Sequence, residues 1–319
     1  MDLELTPEQT QLEQAVGSIM KRFRGLERTR EVGQSVDQGL LATLDDNGYL
    51  DVVRDAGAPE GVLVVEQAAD GAALAPIAAR VLIGPLAGVT DLPRVVGLVD
   101  KPSGTMVRYA ADCEAFLVID GDALKLAGKD DVDVEPIDTT LGAQYGKVVV
   151  RKGETIGSSS ADRLRRAWEV GIAVEAGAAM LAAVALTVDH VTQRHQFGKP
   201  IGSFQAVQHR LARAFGMATG TKWLARRAAA FPNDDFLTAS AATYACEAAE
   251  TAYTNTHQVS GAIGITSEYG LSMWTLRLVG LRSELGGKRA HARRVAAARR
   301  QMDLSHLPQP VHPLAASSH

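Results

Sequence analysis

An arginine, a phenylalanine and a glutamine lie close together at a break between two long alanine-rich segments. The stretch reads RHQFGKPIGSFQAVQHR, and Arg194, Phe197 and Gln205 are its chemically distinctive side chains. Helical spacing predicts that Arg194 and Phe197 share one face at a helix end, with Gln205 in the first turn of the next helix. A guanidinium group matches a diphosphate bidentately, and an aromatic ring packs against a planar heterocycle. Two interpretations stay open: a nucleotide-binding corner, or an ordinary helix–helix turn whose arginine caps carbonyl groups.

The elements that position this break are two predicted helices. Residues 161–194 are rich in Ala, Val, Leu and Glu and contain no proline, which predicts about 34 residues, or roughly 50 Å, of continuous helix. The glycine and proline of residues 197–200 are typical of a helix end. Ser203 is expected to cap a second helix that runs toward Phe231, and a helix of the first length belongs to a bundle.

The composition of the rest of the chain predicts four regions. Residues 1–90 contain segments with helical hydrophobic spacing, starting at the N-cap Thr6 and the first-turn Pro7. Residues 91–157 contain short β-rich runs separated by Gly, Asp and Pro, which predict a small antiparallel β unit. Residues 158–302 are predicted to form the helical bundle, and residues 303–319 a flexible tail. The predicted fold class is mainly α with a small β domain.

Overall composition excludes several classes of partner. The 319 residues are 46% hydrophobic and carry a net charge of −4, so no cationic field is present to hold a nucleic acid. Cys113 and Cys246 are far apart in sequence, which indicates neither a disulfide framework nor a metal-ligand cluster and favours a reducing cytoplasm. No uninterrupted apolar run reaches the length of about 20 residues that spans a membrane. We therefore expect a cytoplasmic protein without a membrane span, a metal site or a nucleic-acid partner.

Two motifs resemble the signatures of the acyl-CoA dehydrogenase family. The stretch QRHQFGKPIGSFQAVQHRLA is similar to the first signature, an arginine followed by QFGKPI, with FQ at the start of the next helix. The later HQVSGAIGITSEY is similar to the second, in which a glutamine precedes a glycine-rich turn. The resemblance covers the C-terminal bundle and, more loosely, the N-terminal helices. It implies a helical domain, a β domain and a four-helix C-terminal domain, assembled as a dimer or tetramer around FAD.

The resemblance also implies which residues contact FAD. In this family the first signature reaches across the subunit interface to the cofactor of the partner, and the second lies close to the same cofactor. The implied cofactor-binding residues are Arg194, Phe197, Gln205, Gln258, Gly261 and Ala262. The arginine is the expected pyrophosphate ligand, with the phenylalanine and the first glutamine beside the adenosine half. Ala262 replaces the second of two adjacent glycines that let backbone amides approach phosphate oxygens in the family.

The family chemistry needs a carboxylate base that removes the α-proton of an acyl-CoA thioester while hydride passes from the β-carbon to the flavin. Where many members carry this glutamate, the sequence has Leu285, with Glu284 one residue earlier. The alternative family position holds Trp168, followed by Glu169. A shift of one residue turns a helical side chain by about 100°. Glu284 and Glu169 are therefore the candidate bases, and a solvated or bundle-facing glutamate is the alternative for each.

The sequence lacks the motifs that line the flavin ring in the family. No run between residues 95 and 114 resembles the T-E-P-x-x-G-S-D segment. This pattern predicts a subunit that completes the FAD site of a homologous partner. It resembles the α2β2 acyl-CoA dehydrogenases of actinobacterial steroid catabolism, and this resemblance implies a steroid-derived acyl-CoA substrate. Two alternatives remain: a self-sufficient homotetramer with its own glutamate base, and a non-catalytic relative that only binds or stabilises another protein.

Overall fold

The N-terminal part of the chain is helical. The computed structural model describes residues 4–301, apart from the side chains of residues 157–159; the predicted tail, residues 303–319, lies outside this range. The first helices are α1 (Pro7–Phe23), α2 (Leu26–Val32), α3 (Gln38–Asp46), α4 (Val52–Asp55), α5 (Ala58–Asp70) and α6 (Gly84–Ala87), with a π-helical turn at Ala79–Ile83. The predicted cap of α1 is confirmed, because Thr6 and Gln9 exchange side-chain to backbone hydrogen bonds as a capping box.

The β region consists of two small sheets. Its strands are β1 (Val96–Val99), β2 (Thr105–Arg108), β3 (Ala115–Asp120), β4 (Ala123–Gly128), β5 (Val132–Ile137), β6 (Tyr145–Val150) and β7 (Glu154–Ser160). One sheet has the order β1-β3-β4-β7 and the other the order β2-β6-β5. The predicted antiparallel pairing is found for β3–β4, β4–β7, β2–β6 and β5–β6.

The pairing of β1 with β3 is parallel, which the sequence did not predict. Val96 lies opposite Ala115, and the register continues to Val99 opposite Val118. After β1 the chain crosses to the other sheet as β2, and it returns through a short helical turn at Ala110–Asp112. Because this crossover replaces a hairpin, the chain re-enters the first sheet in its original direction.

Long helices form the C-terminal part. They are α7 (Ala161–Gln193), α8 (Gln205–Ala230), α9 (Asp235–Ser260), α10 (Ser272–Leu281) and α11 (Gly287–Gln301), and a two-stranded hairpin, β8 (His195–Gln196) and β9 (Lys199–Pro200), lies between α7 and α8. Helix α9 packs against α7, α8 and α11. Since short loops join α7 to α8 and α8 to α9, these neighbours run antiparallel. The predicted long helix is confirmed to within one residue of its C-terminal end.

Helix α7 is the central element of the bundle. The most apolar 18-residue stretch of this helix has a mean hydropathy of 1.9, so by length and composition the helix could cross a membrane. In this fold, 78% of that stretch is buried inside the protein. It contacts α5, α8, α9 and α10 and touches β3, β4 and β7. These contacts make it a core helix. A bidentate pair between Arg226 of α8 and Glu66 of α5, with N···O distances of 2.9 and 2.6 Å, also joins the bundle to the N-terminal helices.

Candidate functional site

The break after α7 is a tight β-hairpin. Helix α7 ends at Gln193, and the backbone amide of Arg194 donates to the His190 carbonyl at 2.9 Å. Phe197 and Gly198 form the two-residue turn between β8 and β9, with φ angles of 54° and 78°. Two consecutive positive φ angles are the signature of a type I′ hairpin turn, which glycine adopts easily and phenylalanine rarely. The expected shared helix face of Arg194 and Phe197 is therefore wrong, because the residues lie beyond the last helical turn.

The start of α8 also differs from the prediction. Ser203 does not cap this helix: it lies in a short helical turn and its hydroxyl donates to the Pro200 carbonyl at 2.7 Å. The N-cap is Phe204, which makes no side-chain capping bond, and α8 begins at Gln205 as predicted. The Phe204 ring instead contacts the hairpin, with the Lys199 ammonium 4.4 Å from its centroid. Hairpin and helix start are thus held together by side-chain packing.

Both signature motifs lie at the same end of the bundle. The C-terminus of α7, the N-terminus of α8 and the C-terminus of α9 meet there because the three helices alternate in direction. Arg210, near the start of α8, donates to Asn255 near the end of α9 at 3.1 Å. The Tyr269 hydroxyl, beyond α9, donates to the Leu186 carbonyl of α7 at 3.0 Å. The six residues that the resemblance assigns to FAD therefore belong to one surface, which we call the corner surface: Arg194, Phe197, Gln205, Gln258, Gly261 and Ala262.

The corner surface is open to solvent in the single chain. All six residues are exposed, and the Phe197 side chain is 91% exposed. Among residues 4–301, no acidic side chain forms an ion pair with Arg194. Burial lowers the pKa of His190, and the positive charge of Arg194 lowers it further. The turn after α9 exposes Ile263 and, at 79%, Ile265. Large exposed apolar side chains beside an unpaired cation are typical of a surface that another molecule covers.

The second motif positions backbone rather than side chains. Gly261 ends α9 with a φ of 65° and has nothing within 4 Å of where a Cβ atom would lie. The requirement for glycine is therefore conformational, and the space beside it is open. Ala262 follows in the helical turn Gly261–Ile265. Together with the free guanidinium of Arg194 and the exposed amides of Gln205 and Gln258, this donor set fits the diphosphate and nucleotide half of FAD.

A different arrangement fills the cleft between the β sheets and the bundle. Arg108, at the end of β2, donates to both carboxylate oxygens of Glu175 on α7 at 2.8 and 3.3 Å. Its Nε atom lies 2.9 Å from Glu284, the residue before the turn that leads into α11. The three side chains are only 12 to 15% exposed. We call Arg108, Glu175 and Glu284 the ion triad; it ties a strand to two parts of the bundle.

Glu284 also accepts a hydrogen bond from the indole of Trp168 at 2.5 Å. The following residues, Leu285, Gly286 and Gly287, have φ angles of 52°, 81° and 70°, so the chain reverses through three left-handed residues. Burial raises the pKa of Glu284, while the Arg108 charge opposes the rise. The nearby Glu175 carboxylate contributes a smaller rise in the same direction as burial. Both oxygens of this candidate base are engaged within the chain.

Glu169, the other candidate base, lies inside the bundle. Its side chain is completely buried and accepts hydrogen bonds from His291 Nδ1 at 3.1 Å, Arg294 Nε at 2.9 Å and Thr238 Oγ1 at 3.2 Å. These partners lie on α9 and α11, so the carboxylate joins three helices. A buried carboxylate with three donors is a structural anchor. Trp168, which precedes it, points instead toward the cleft.

Sequence reasoning missed Arg108 and Glu175. Glu175 is an isolated charge in an alanine-rich helix, and a carboxylate in such a segment requires a buried partner. This rule predicts that Glu175 has a buried partner. It does not predict which residue the partner is, because Arg108 lies 67 residues earlier in the chain. Arg108 also forms an ion pair with Glu284, which is even farther away in sequence. Within the cleft, the charged groups of Arg108, Glu175 and Glu284 pair with one another rather than facing an open site.

Comparison with known proteins gives the class of the fold. Residues 169–300 match the family described as acyl-CoA dehydrogenase, C-terminal domain. One chain of the ChsE4-ChsE5 complex from Mycobacterium tuberculosis superposes with a TM-score of 0.83 at 22% identity, covering 95% of this chain and 100% of that chain. A variant of the Tcur3481-Tcur3483 steroid ACAD gives a TM-score of 0.80 at 21% identity, covering 92% and 98% of the two chains. The fold is that of the acyl-CoA dehydrogenases.

A curated relative supports the resemblance in sequence. The acyl-CoA dehydrogenase FadE34 of Mycobacterium tuberculosis is 31% identical over 207 residues, which make up 61% of this chain and 29% of FadE34. The chain thus matches less than a third of the length of that relative. The predicted resemblance is confirmed: residues 169–300 match the acyl-CoA dehydrogenase C-terminal domain, and the whole chain has an acyl-CoA dehydrogenase fold.

Proposed function

We propose that this protein is a subunit of an FAD-dependent acyl-CoA dehydrogenase that catalyses α,β-dehydrogenation of an acyl-CoA thioester, and that it completes the FAD site of a partner subunit. The observation that carries the proposal is the corner surface. Arg194 is exposed and has no acidic partner within residues 4–301, beside a phenylalanine ring that the chain leaves 91% exposed. Such a donor set is available to a ligand from outside the chain.

Each residue of the corner surface has a role that follows from its chemistry. Arg194 binds the diphosphate bidentately, Phe197 packs against the adenosine half, and Gln205 and Gln258 orient it through amide hydrogen bonds. The backbone at Gly261 and Ala262 contributes amides at close range. When bound, FAD supplies the acceptor for the hydride that leaves the β-carbon of the thioester. These residues hold the nucleotide half and leave the reacting atoms to the partner.

The base is expected on the partner subunit. Leu285, at the position of the family's glutamate, cannot accept a proton. Glu284 is held by Arg108 and Trp168, and Glu169 is buried with three hydrogen-bond donors. A base must reach the proton that it removes, and neither carboxylate is free to approach a thioester from outside.

The partner and the substrate are proposed by analogy with similar proteins. A chain with this fold occurs in the ChsE4-ChsE5 complex, and another in a steroid ACAD. We infer that this protein assembles with a homologous subunit into an α2β2 heterotetramer, acts on a steroid-derived acyl-CoA and works in the cytoplasm. A self-sufficient homotetramer is the alternative, and it would require Glu284 to leave the ion triad.

Co-purification tests the proposal. The chain is expressed alone and together with the product of an adjacent dehydrogenase-like gene, and flavin absorbance and acyl-CoA turnover are measured with an artificial electron acceptor. We expect flavin and turnover only in the co-expressed sample. Flavin and turnover with the chain alone would support the homotetramer instead. A colourless protein in both samples would contradict the proposal and favour a non-catalytic binding role.

A further inference from the structure

Helix α11 carries six lysine and arginine side chains and no acidic one. Two of the six are used within the fold. Lys288 pairs with Glu247 of α9. Arg294 pairs with Glu169 of α7 and with Asp235 of α9. The other four are exposed, and none forms an ion pair within residues 4–301: Arg289, Arg293, Arg299 and Arg300.

Three of these arginines form a row on the face of α11 that points away from the bundle. Arg289, Arg293 and Arg300 follow one another at intervals of four and seven residues, which places them within about 40° of one another around the helix. The buried His291 lies on the opposite side. The row spans roughly 17 Å along the helix. Arg299 flanks it, and we call the four residues the arginine stripe.

An open groove of about 430 Å³ lies beside the arginine stripe, between α9 and α11. Side chains of these two helices line it: Ser240, Thr243, Tyr244, Glu247, Lys288 and Val295. Val295 and the ring of Tyr244 supply apolar surface. The one carboxylate of the lining, Glu247, is compensated, because the hydrogen bond from Lys288 lowers its pKa and keeps the pair ionised. Arg299 lies one helical turn beyond Val295, so the arginine stripe borders an apolar groove without excess negative charge.

Several possible occupants of this surface do not match its charge. A second copy of this chain, in a twofold contact through the arginine stripe, would bring the same four cations and repel it. Residues 303–319 contain one acidic side chain, Asp303, against four arginines. Between the arginines the outward face carries Ala292 and Ala296, whereas a helix that binds a membrane surface needs large apolar side chains to insert. An acidic protein segment remains as the complementary occupant.

We propose that the arginine stripe and the groove beside it form a docking site for an acidic amphipathic helix of another protein. Carboxylates four residues apart on such a helix match the spacing of Arg289 and Arg293, and an apolar side chain enters the groove next to Val295. The site lies along the first half of α9, whereas the corner surface lies at the end of that helix, about 39 Å from its first residue. The proposal therefore does not depend on the FAD role of the corner surface.

Synthetic helical peptides test the docking site on the full-length chain. The acidic peptide carries glutamates at intervals of four and seven residues on one face, with a leucine beside them, and the neutral peptide has glutamine in place of every glutamate. Both carry an uncharged fluorophore. At about 150 mM salt, fluorescence anisotropy should show saturable binding of one acidic peptide per chain and about thirtyfold weaker binding of the neutral peptide. Alanine in place of the leucine should weaken binding of the acidic peptide about tenfold, because the groove loses its apolar contact.

Two variants with the same net charge locate the binding. The stripe variant combines Arg289→Gln, Arg293→Gln, Arg299→Gln and Arg300→Gln, and it should bind the acidic peptide about thirtyfold more weakly than the wild type. The matched control removes four exposed cations that lie outside α9 and α11: Lys21→Gln, Arg30→Gln, Lys129→Gln and Lys152→Gln. This control should bind like the wild type. Because all eight side chains are exposed, both variants should keep the helix content of the wild type, which circular dichroism checks.

Three results would overturn the docking site. The first is the absence of saturable binding of the acidic peptide by the wild type, or equal binding of the acidic and the neutral peptide. The second is an equal loss of binding in the stripe variant and the matched control, which would show that only the net charge matters. The third is binding of phosphatidylglycerol vesicles, but not of the acidic peptide, that the stripe variant loses, which would make α11 a membrane contact instead.

Discussion

The corner surface and the ion triad use arginine in opposite ways. Arg194 is exposed, lies beyond the end of α7 and forms no ion pair among residues 4–301. Arg108 is 15% exposed and is held by two carboxylates. The charge of the first arginine is not paired with an acidic side chain within residues 4–301, and the charge of the second is paired with two carboxylates. The difference supports the proposal that the corner surface binds a partner's cofactor, whereas the ion triad holds a strand against the bundle.

The largest effect is expected when the buried arginine is removed. Arg108→Ala leaves Glu175 and Glu284 buried without a cation, which should lower the free energy of unfolding by about 3–5 kcal/mol. The triple variant with Glu175→Gln and Glu284→Gln should recover most of this loss. Chemical denaturation measures both. Arg151, whose pair with Asp133 is more than half exposed on both sides, serves as the control, and its change to Ala should cost about 1 kcal/mol or less.

A smaller loss is expected for Glu169→Gln. The amide keeps one acceptor oxygen but places a donor group among the donors Thr238, His291 and Arg294, which should cost about 1–3 kcal/mol. Flavin content of the complex should not change, because this glutamate lies inside the bundle. Glu247→Gln, at a surface pair with Lys288 of α11, is the control and should cost about 1 kcal/mol or less. Loss of turnover at unchanged stability and flavin content would restore Glu169 as a candidate base.

The pH dependence of stability distinguishes Glu284 from an ordinary surface carboxylate. Burial raises its pKa above the usual 4.5 in the folded protein, so folding favours the protonated form. This contribution to stability is complete below pH 4.5 and is lost as the pH rises through the higher folded pKa. The stability of the wild type relative to Glu284→Gln should therefore increase as the pH falls from 7 toward 4.5. A difference that stays constant or decreases would show that the pKa is not raised.

The smallest effect on stability is expected in the corner surface. Phe197→Ala removes a ring that is 91% exposed, so the free energy of unfolding should change by less than about 0.5 kcal/mol. Flavin retention by the complex should nevertheless fall, because the ring is proposed to pack against the adenosine half. Phe116, which is fully buried, gives the contrast: its change to Ala should cost about 3–5 kcal/mol. A large stability loss at Phe197 would mean that the chain itself packs the ring.

Local sequence signals predicted much of the fold, and the two signature motifs lie at the same end of the bundle. The N-cap Thr6 of α1, the length of α7 and the start of α8 at Gln205 depend on residues close together in sequence. The turn at Phe197 was misjudged, because glycine and proline signal a break without specifying a hairpin. The parallel pairing of β1 with β3 and the contact between Arg108 and Glu175 were not predicted, since both join distant segments and leave no periodic signal in either one.

The flavin content of the Arg194→Ala complex tests the central claim most directly. The account predicts that the variant assembles with the partner, keeps its helix content and loses most of its flavin, since removing an arginine from the centre of a contact costs about 2 kcal/mol or more, or roughly thirtyfold in affinity. Arg165→Ala, at the other end of α7, should keep the flavin. If Arg194→Ala retains as much flavin as the wild type, the corner surface does not bind the cofactor and the account is contradicted.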